Sequence, residues 1–218
     1  MSRQTNSQRF VLPPHLWRFR PLQLVVIDLH DWLFPWVVIN LLWVLASLTL
    51  ILLPAAAASL FEMAQAAYRN QPPDPRRFLA GVRRWFGLSW LWAASNGVVL
   101  SGLFLAGRAV YPNEILLAVL AVLTTVIVLS QFFFWPYMML QDEPKPLRAW
   151  RNSAFTAAGD LPYFTLYLAM TFFILIPSVV VIAPFLLIAP VLLALLATYG
   201  LAAWLERHGL LAGESREL

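Results

Sequence analysis

The sequence predicts an all-α fold, a polytopic membrane helix bundle of six membrane segments, the second one short, with both termini in the cytoplasm. Three observations lead there. Residues 161–205 run for 45 positions without one Asp, Glu, Lys or Arg. The 218-residue chain is 61% hydrophobic and only 12% charged, which leaves a soluble domain of this length with too little polar surface. With six crossings, fourteen of the fifteen Lys and Arg side chains fall on one side, as the preference of basic loops for the cytoplasm requires.

A crossing takes about 20 apolar helical residues to span a hydrocarbon core of roughly 30 Å. Residues 1–31, with Arg3, Arg9, Arg18, Arg20, Asp28 and Asp31, form a cytoplasmic N-terminal segment. They delay the apolar run beyond the position of a cleavable signal peptide, so residues 32–53 read as a retained first span. The next segment, residues 54–69, reaches only about 24 Å as a helix and carries Glu62 and Gln65. Charge decides that it crosses. If it stayed on one side, the N-terminal arginines would face a different compartment from Arg69, Arg76, Arg77, Arg83 and Arg84. If it returns, both groups share the cytoplasm with Lys145, Arg148, Arg151, Arg207 and Arg216, and only Arg108 lies outside. Residues 85–107 and 115–140 supply the third and fourth spans, and the uncharged stretch, divided near Pro184, supplies the last two. Residues 32–206 thus form a single transmembrane domain in the cell (inner) membrane, followed by a cytoplasmic tail, residues 207–218. Trp17, Trp32, Trp36, Trp85, Trp90, Trp135 and Trp204 fall near the cytoplasmic ends of these spans, where an aromatic belt is expected.

Two loop segments read as basic amphipathic helices. In the first, Asp74 caps a helix with Pro75 at its first position; Phe78, Leu79, Val82 and Phe86 share a face ringed by Arg76, Arg77, Arg83 and Arg84. In the second, residues 146–158, Leu147, Trp150, Ala154 and Ala157 recur at near-helical spacing with Arg148 and Arg151 between them. Lying in the headgroup layer, each Arg gains on the order of 1 kcal/mol from anionic lipid. The expected partner is a bilayer with anionic headgroups, and the two helices together form a platform on which a soluble partner would dock.

Glu62 is the polar residue that most needs an explanation, because charges at bilayer depth are costly and usually face the bundle interior. Ser59, Glu62, Gln65 and Arg69 form one stripe on its short helix, and Asn40 and Asn96 are the other strong hydrogen-bonding groups at depth. One reading makes Glu62, with Asn40 and Asn96 as partners, the lining of a polar site or ion path. The other places Glu62 near the interface, solvated or paired with Arg69, with the two amides bridging helices. Ser89, Ala93, Gly97 and Ser101 recur every four residues, a small-residue seam expected to pack inside the bundle, although use between copies of a homo-oligomer is the alternative.

Without cysteine the chain has no disulfide, iron–sulfur or thiolate zinc chemistry. It lacks the P-loop, dinucleotide, zinc-protease and nucleophile-elbow motifs, so neither a catalytic residue nor a cofactor is expected. Asp28, His30 and Asp31 lack the spacing of metal ligands and read as an anchor at the first span's end. The basic residues are scattered among loops, which disfavours nucleic acid.

Asn40-Leu41-Leu42-Trp43, the break at Pro54 into an alanine-rich helix ending Tyr68-Arg69, and Phe78 and Phe86 framed by arginines resemble the first half of the YesL-like family. Trp135-Pro136-Tyr137, the run Leu147-Arg148-Ala149-Trp150-Arg151-Asn152-Ser153-Ala154 and Leu161-Pro162 resemble its second half, although this chain lacks the family's glycine before Pro54. The resemblance implies a bacterial multi-pass membrane protein without catalytic residues, from a family whose genes often neighbour carbohydrate importers. The function expected is a non-catalytic accessory component of carbohydrate uptake, docked on subunits of an ATP-driven importer. The alternative is a small transporter or channel using the stripe around Glu62.

Overall fold

Proline marks where the helices begin. The computed structural model describes residues 14–141, 143–181 and 188–210, and all regular structure among them is helical. Prolines stand in the first turn of α1 (Arg20–Asp31), α3 (Leu53–Tyr68), α4 (Pro75–Val110), α7 (Pro146–Gly159), α8 (Leu161–Val180) and α9 (Ala189–Arg207). There the missing N–H costs nothing and the fixed φ suits the helix. The other helices are α2 (Leu33–Leu48), α5 (Glu114–Ser130) and α6 (Phe134–Leu140), and a 3-10 turn, Pro14–Phe19, precedes α1. Arg3, Arg9, Pro184 and Arg216, used above in counting charges and dividing spans, lie outside the described residues.

Among the described residues, three helices are long and apolar enough to cross a membrane: Pro75–Val110, Leu161–Ser178 and Ala189–Arg207. A fourth candidate is the pair Trp17–Asp31 and Leu33–Leu48, bent by 94°. The expected first span, residues 32–53, is cut short at Leu48. Thr49 Oγ1 donates to Ala46 O and accepts from Leu52 N, and Leu50 takes a positive φ of 55°, so the chain turns before α3 begins. The expected fourth span, residues 115–140, breaks after Ser130. Pro136 has no N–H to give and its ring would strike the carbonyl of Phe132 in a continuous helix, so α6 starts afresh at Phe134. The first amphipathic helix, expected as a separate surface element, is instead continuous with the third span. The 36 residues of α4 extend about 54 Å, far more than the roughly 30 Å of a hydrocarbon core.

The interior is built on α3 and α9, the two helices with the longest buried runs. Alanines at 55, 56, 58, 64, 66 and 67 let α2, α4, α6 and α9 come close around α3. Trp36, Trp85 and Trp135, expected in an interfacial belt, are buried instead: Trp36 packs with α3 and α9, and Trp85 and Trp135 meet edge to face at 6.2 Å. By contrast α4 beyond Trp90 and most of α5 display Leu91, Val98, Phe104, Val122 and Val126 outward. A helix apolar on every side needs an apolar surrounding.

On α9, Gly200 admits the ring of Tyr167 from α8. A Cβ there would lie 2.7 and 2.9 Å from two ring carbons. The ring is held by its hydroxyl on Arg18 O (3.1 Å) and by Tyr163, which itself donates to Gly200 O at 2.7 Å. Gly200→Ala is expected to lower stability by about 1–3 kcal/mol. Gly97→Ala on α4, where a Cβ meets nothing within 4 Å, is expected to be neutral or stabilising by up to about 1 kcal/mol. Thermal unfolding of the two variants in the same detergent checks the contrast.

Candidate functional site

The polar stripe of α3 meets the first three turns of α4. Ser59 Oγ donates to Phe78 O at 2.6 Å, and Gly81 sits where a Cβ would strike Ser59 Oγ and come within 2.9 Å of Glu62 Oε2. That close approach brings α4 donors onto the Glu62 carboxylate, whose side chain is 8% exposed. Oε1 accepts from Arg84 Nη2 at 2.9 Å and lies 3.5 Å from Arg77 Nε, while Oε2 accepts from Trp85 Nε1 at 2.7 Å. Arg77 also donates to Gln71 Oε1 at 2.6 Å. Asp74 accepts from Arg76 N and fixes the start of the helix that carries these groups.

Helical spacing explains the set. Arg77, Gly81, Arg84 and Trp85 lie within about 100° of one another on α4 at 100° per residue. The inner face of this segment is Phe78, Gly81, Val82, Trp85 and Ser89, whereas Leu79 and Phe86, expected on it, are exposed. The face is rotated because Gly81 must meet Ser59 and Trp85 must reach Glu62. One carboxylate against two guanidinium groups makes a tight, net-positive joint between α3 and α4. Charge-assisted hydrogen bonds of this kind are about twice as strong as neutral ones.

Of the partners expected for Glu62, Asn96 and Arg69 lie elsewhere. Asn96 donates to Trp92 O along its own helix at 2.9 Å. Asn40 is fully buried on α2. Arg69 is exposed at the end of α3, nearly two turns beyond Glu62. Gln65 is buried, and its two amide atoms have no partner among the described residues. Of the basic residues, Arg77 and Arg84 are bound to Glu62, whereas Arg76, Arg83, Arg148 and Arg151 are exposed. The second amphipathic helix forms as α7, but it buries Ala149, Ser153, Thr156 and Ala157 and leaves Leu147 and Trp150 exposed. Small side chains let it sit against the bundle, with Ser153 donating to Ser130 O and Tyr137 OH 2.6 Å from Thr156 Oγ1. The small-residue seam does not pack internally along its length: Ser89 is buried, but Gly97 and Ser101 are exposed.

Sequence reasoning missed Gly81 and Trp85. Gly81 carried a signal, since a glycine costs a helix about 1 kcal/mol and often marks a close approach. It also missed a second polar joint, where Tyr68 OH donates to Glu206 at 2.7 Å and Arg20 lies 3.7 Å from the same carboxylate. These contacts tie α3 and α1 to the end of α9. Nearby, Arg207 lies 4.0 Å over the Trp17 ring, which stacks on Tyr163.

Comparison with family models, with curated proteins and with solved structures finds no match. Fold and site together define the class: the described residues are all-helical, with three to four helices long and apolar enough to cross a membrane, which suggests a membrane protein.

Proposed function

We propose that this chain is a six-segment protein of the inner membrane, both termini cytoplasmic, acting as a non-catalytic accessory component of carbohydrate uptake. The observation that carries the non-catalytic reading is the engagement of Glu62. The one deep acid of the stripe accepts from Arg84 and Trp85, pairs with Arg77 and is closed over by Gly81, so it serves as a joint between helices. This weighs against a solute path along α3. The exposed Arg76, Arg83, Arg148 and Arg151 then supply the docking surface for a soluble or membrane-bound partner.

In this topology α3 is the short return segment, which brings Arg20 and the Arg76 to Arg84 group to the same side. The resemblance to the YesL-like family supports the association with an ATP-driven carbohydrate importer. Single cysteines at Ala58, Glu62, Arg69 and Arg108, introduced into a chain without native cysteine, test it in intact cells. Arg69 is expected to label only from inside, Arg108 only from outside, and Glu62 not at all with a small polar reagent. Labelling of Glu62 would restore the transporter reading, and labelling of Arg69 from outside would overturn the topology. Gentle solubilisation that recovers no importer subunit would overturn the accessory role.

A further inference from the structure

A cavity of about 500 Å³ opens between α4, α5, α6 and α7, within the range of small-molecule sites. Leu91, Val99, Ile127 and Phe134 wall it together with Leu147 and Trp150 of α7. The polar residues of its lining are turned onto protein atoms. Trp92 Nε1 donates to Gln131 Oε1 at 3.0 Å, Asn96 Nδ2 to Trp92 O at 2.9 Å and Ser95 Oγ to Leu91 O at 2.7 Å. What remains facing the cavity is mostly carbon, so its ligand has an apolar body.

Length and charge narrow the ligand further. Along α4 the cavity runs from Leu88 to Val99, about 16 Å at 1.5 Å per residue, close to half of a roughly 30 Å hydrocarbon core. No charged side chain lines it, but on α7 the exposed Arg151 follows the lining Trp150 and lies about 40° round the helix from the lining Leu147. Arg84, one turn before Leu88 on α4, is already paired with Glu62, which leaves Arg151 of α7 for an anionic group.

We propose that this cavity holds one acyl chain of an anionic phospholipid, with the headgroup phosphate on Arg151. A site that is apolar for one leaflet's depth, with an unpaired cation beside its α7 wall, complements an amphiphile of that form. The proposal rests on the membrane reading above, with α7 at the cytoplasmic interface, and adds a discrete lipid site to it.

The test uses the full chain purified in a nonionic detergent and titrated with dioleoyl phosphatidylglycerol or dioleoyl phosphatidylcholine, bound lipid being counted by mass spectrometry of the intact complex. One phosphatidylglycerol is expected to bind at a concentration at least about tenfold below that needed for phosphatidylcholine, a 1.4 kcal/mol preference. Ser95→Trp and Val99→Trp, which fill the cavity from an exposed stretch of α4, are expected to abolish the single bound lipid with helix content unchanged. Arg151→Glu is expected to reduce phosphatidylglycerol to the phosphatidylcholine level. Equal binding of the two lipids by the unmodified chain, or undiminished binding in both cavity-filling variants, would overturn the site. Fractionation of the unmodified chain with membranes is read separately: its failure removes the membrane reading, whereas lost lipid selectivity with intact fractionation removes only the cavity proposal.

Discussion

Replacing Arg77 and Arg84 together with alanine is expected to destabilise the protein by about 3–5 kcal/mol, more than replacing the acid they bind. The reason is an asymmetry of exposure. Glu62 is 8% exposed, whereas Arg77 and Arg84 are 41% and 58% exposed, so the cations reach water when the acid is gone but the acid cannot when the cations are gone. Glu62→Gln keeps an acceptor for Trp85 Nε1 and leaves the arginines solvated. Its cost is expected near 1–3 kcal/mol, about that of one weakened buried hydrogen bond and its desolvation. Adding Glu62→Gln to the double arginine variant should then recover part of the loss. Unfolding in detergent for the four proteins forms the cycle. A double arginine variant no worse than Glu62→Gln would mean that the carboxylate is solvated and the joint is not buried.

Gly81→Val is the second large effect. A Cβ at this position would strike Ser59 Oγ and approach Glu62 Oε2 to 2.9 Å, and valine adds two methyl groups that a helix holds stiffly. Overpacking of this kind costs about 1–3 kcal/mol, to which the strained Ser59 to Phe78 and Trp85 to Glu62 bonds add. The local signature separates this from a general loss of stability. If α4 is pushed off α3, cysteine introduced at Ser59 should become accessible to a thiol reagent in the Gly81→Val background and stay protected in the parent. Ser59→Gly, by removing the struck hydroxymethyl group, should restore part of the stability. Gly81→Val as stable as the parent would mean that the two helices are not in contact there.

These predictions depend on features that differ in how legible they were. Helix starts were readable because proline acts locally: Pro75 with Asp74 before it, and Pro146, mark the first turns of α4 and α7 whatever surrounds them. The apolar character of residues 85–107 and 161–205 was equally direct, since it is a sum over composition. Helix ends and breaks were harder. Residues 115–140 contain no charge, yet the chain breaks at Gln131 because the Pro136 ring acts on a carbonyl four residues upstream. The basic helix and third span merged into one α4 because no residue between Arg84 and Gly107 stops a helix.

What the sequence by itself determined was the class of secondary structure and the apolar character of its long segments: helices throughout the described residues, several of them apolar enough to cross a membrane, with Glu62 as the costly residue. Partner choice was decided only by the tertiary structure. Glu62, Ser59, Arg77, Gly81, Arg84 and Trp85 are spread over two helices, and which of fourteen arginines would reach one carboxylate depends on how α4 is rotated against α3. That rotation is set by Gly81 fitting against Ser59 and by Trp85 finding Trp135, contacts between residues distant in sequence. Periodicity fixes which residues share a face, but the energy that selects the buried face comes from the surface it meets.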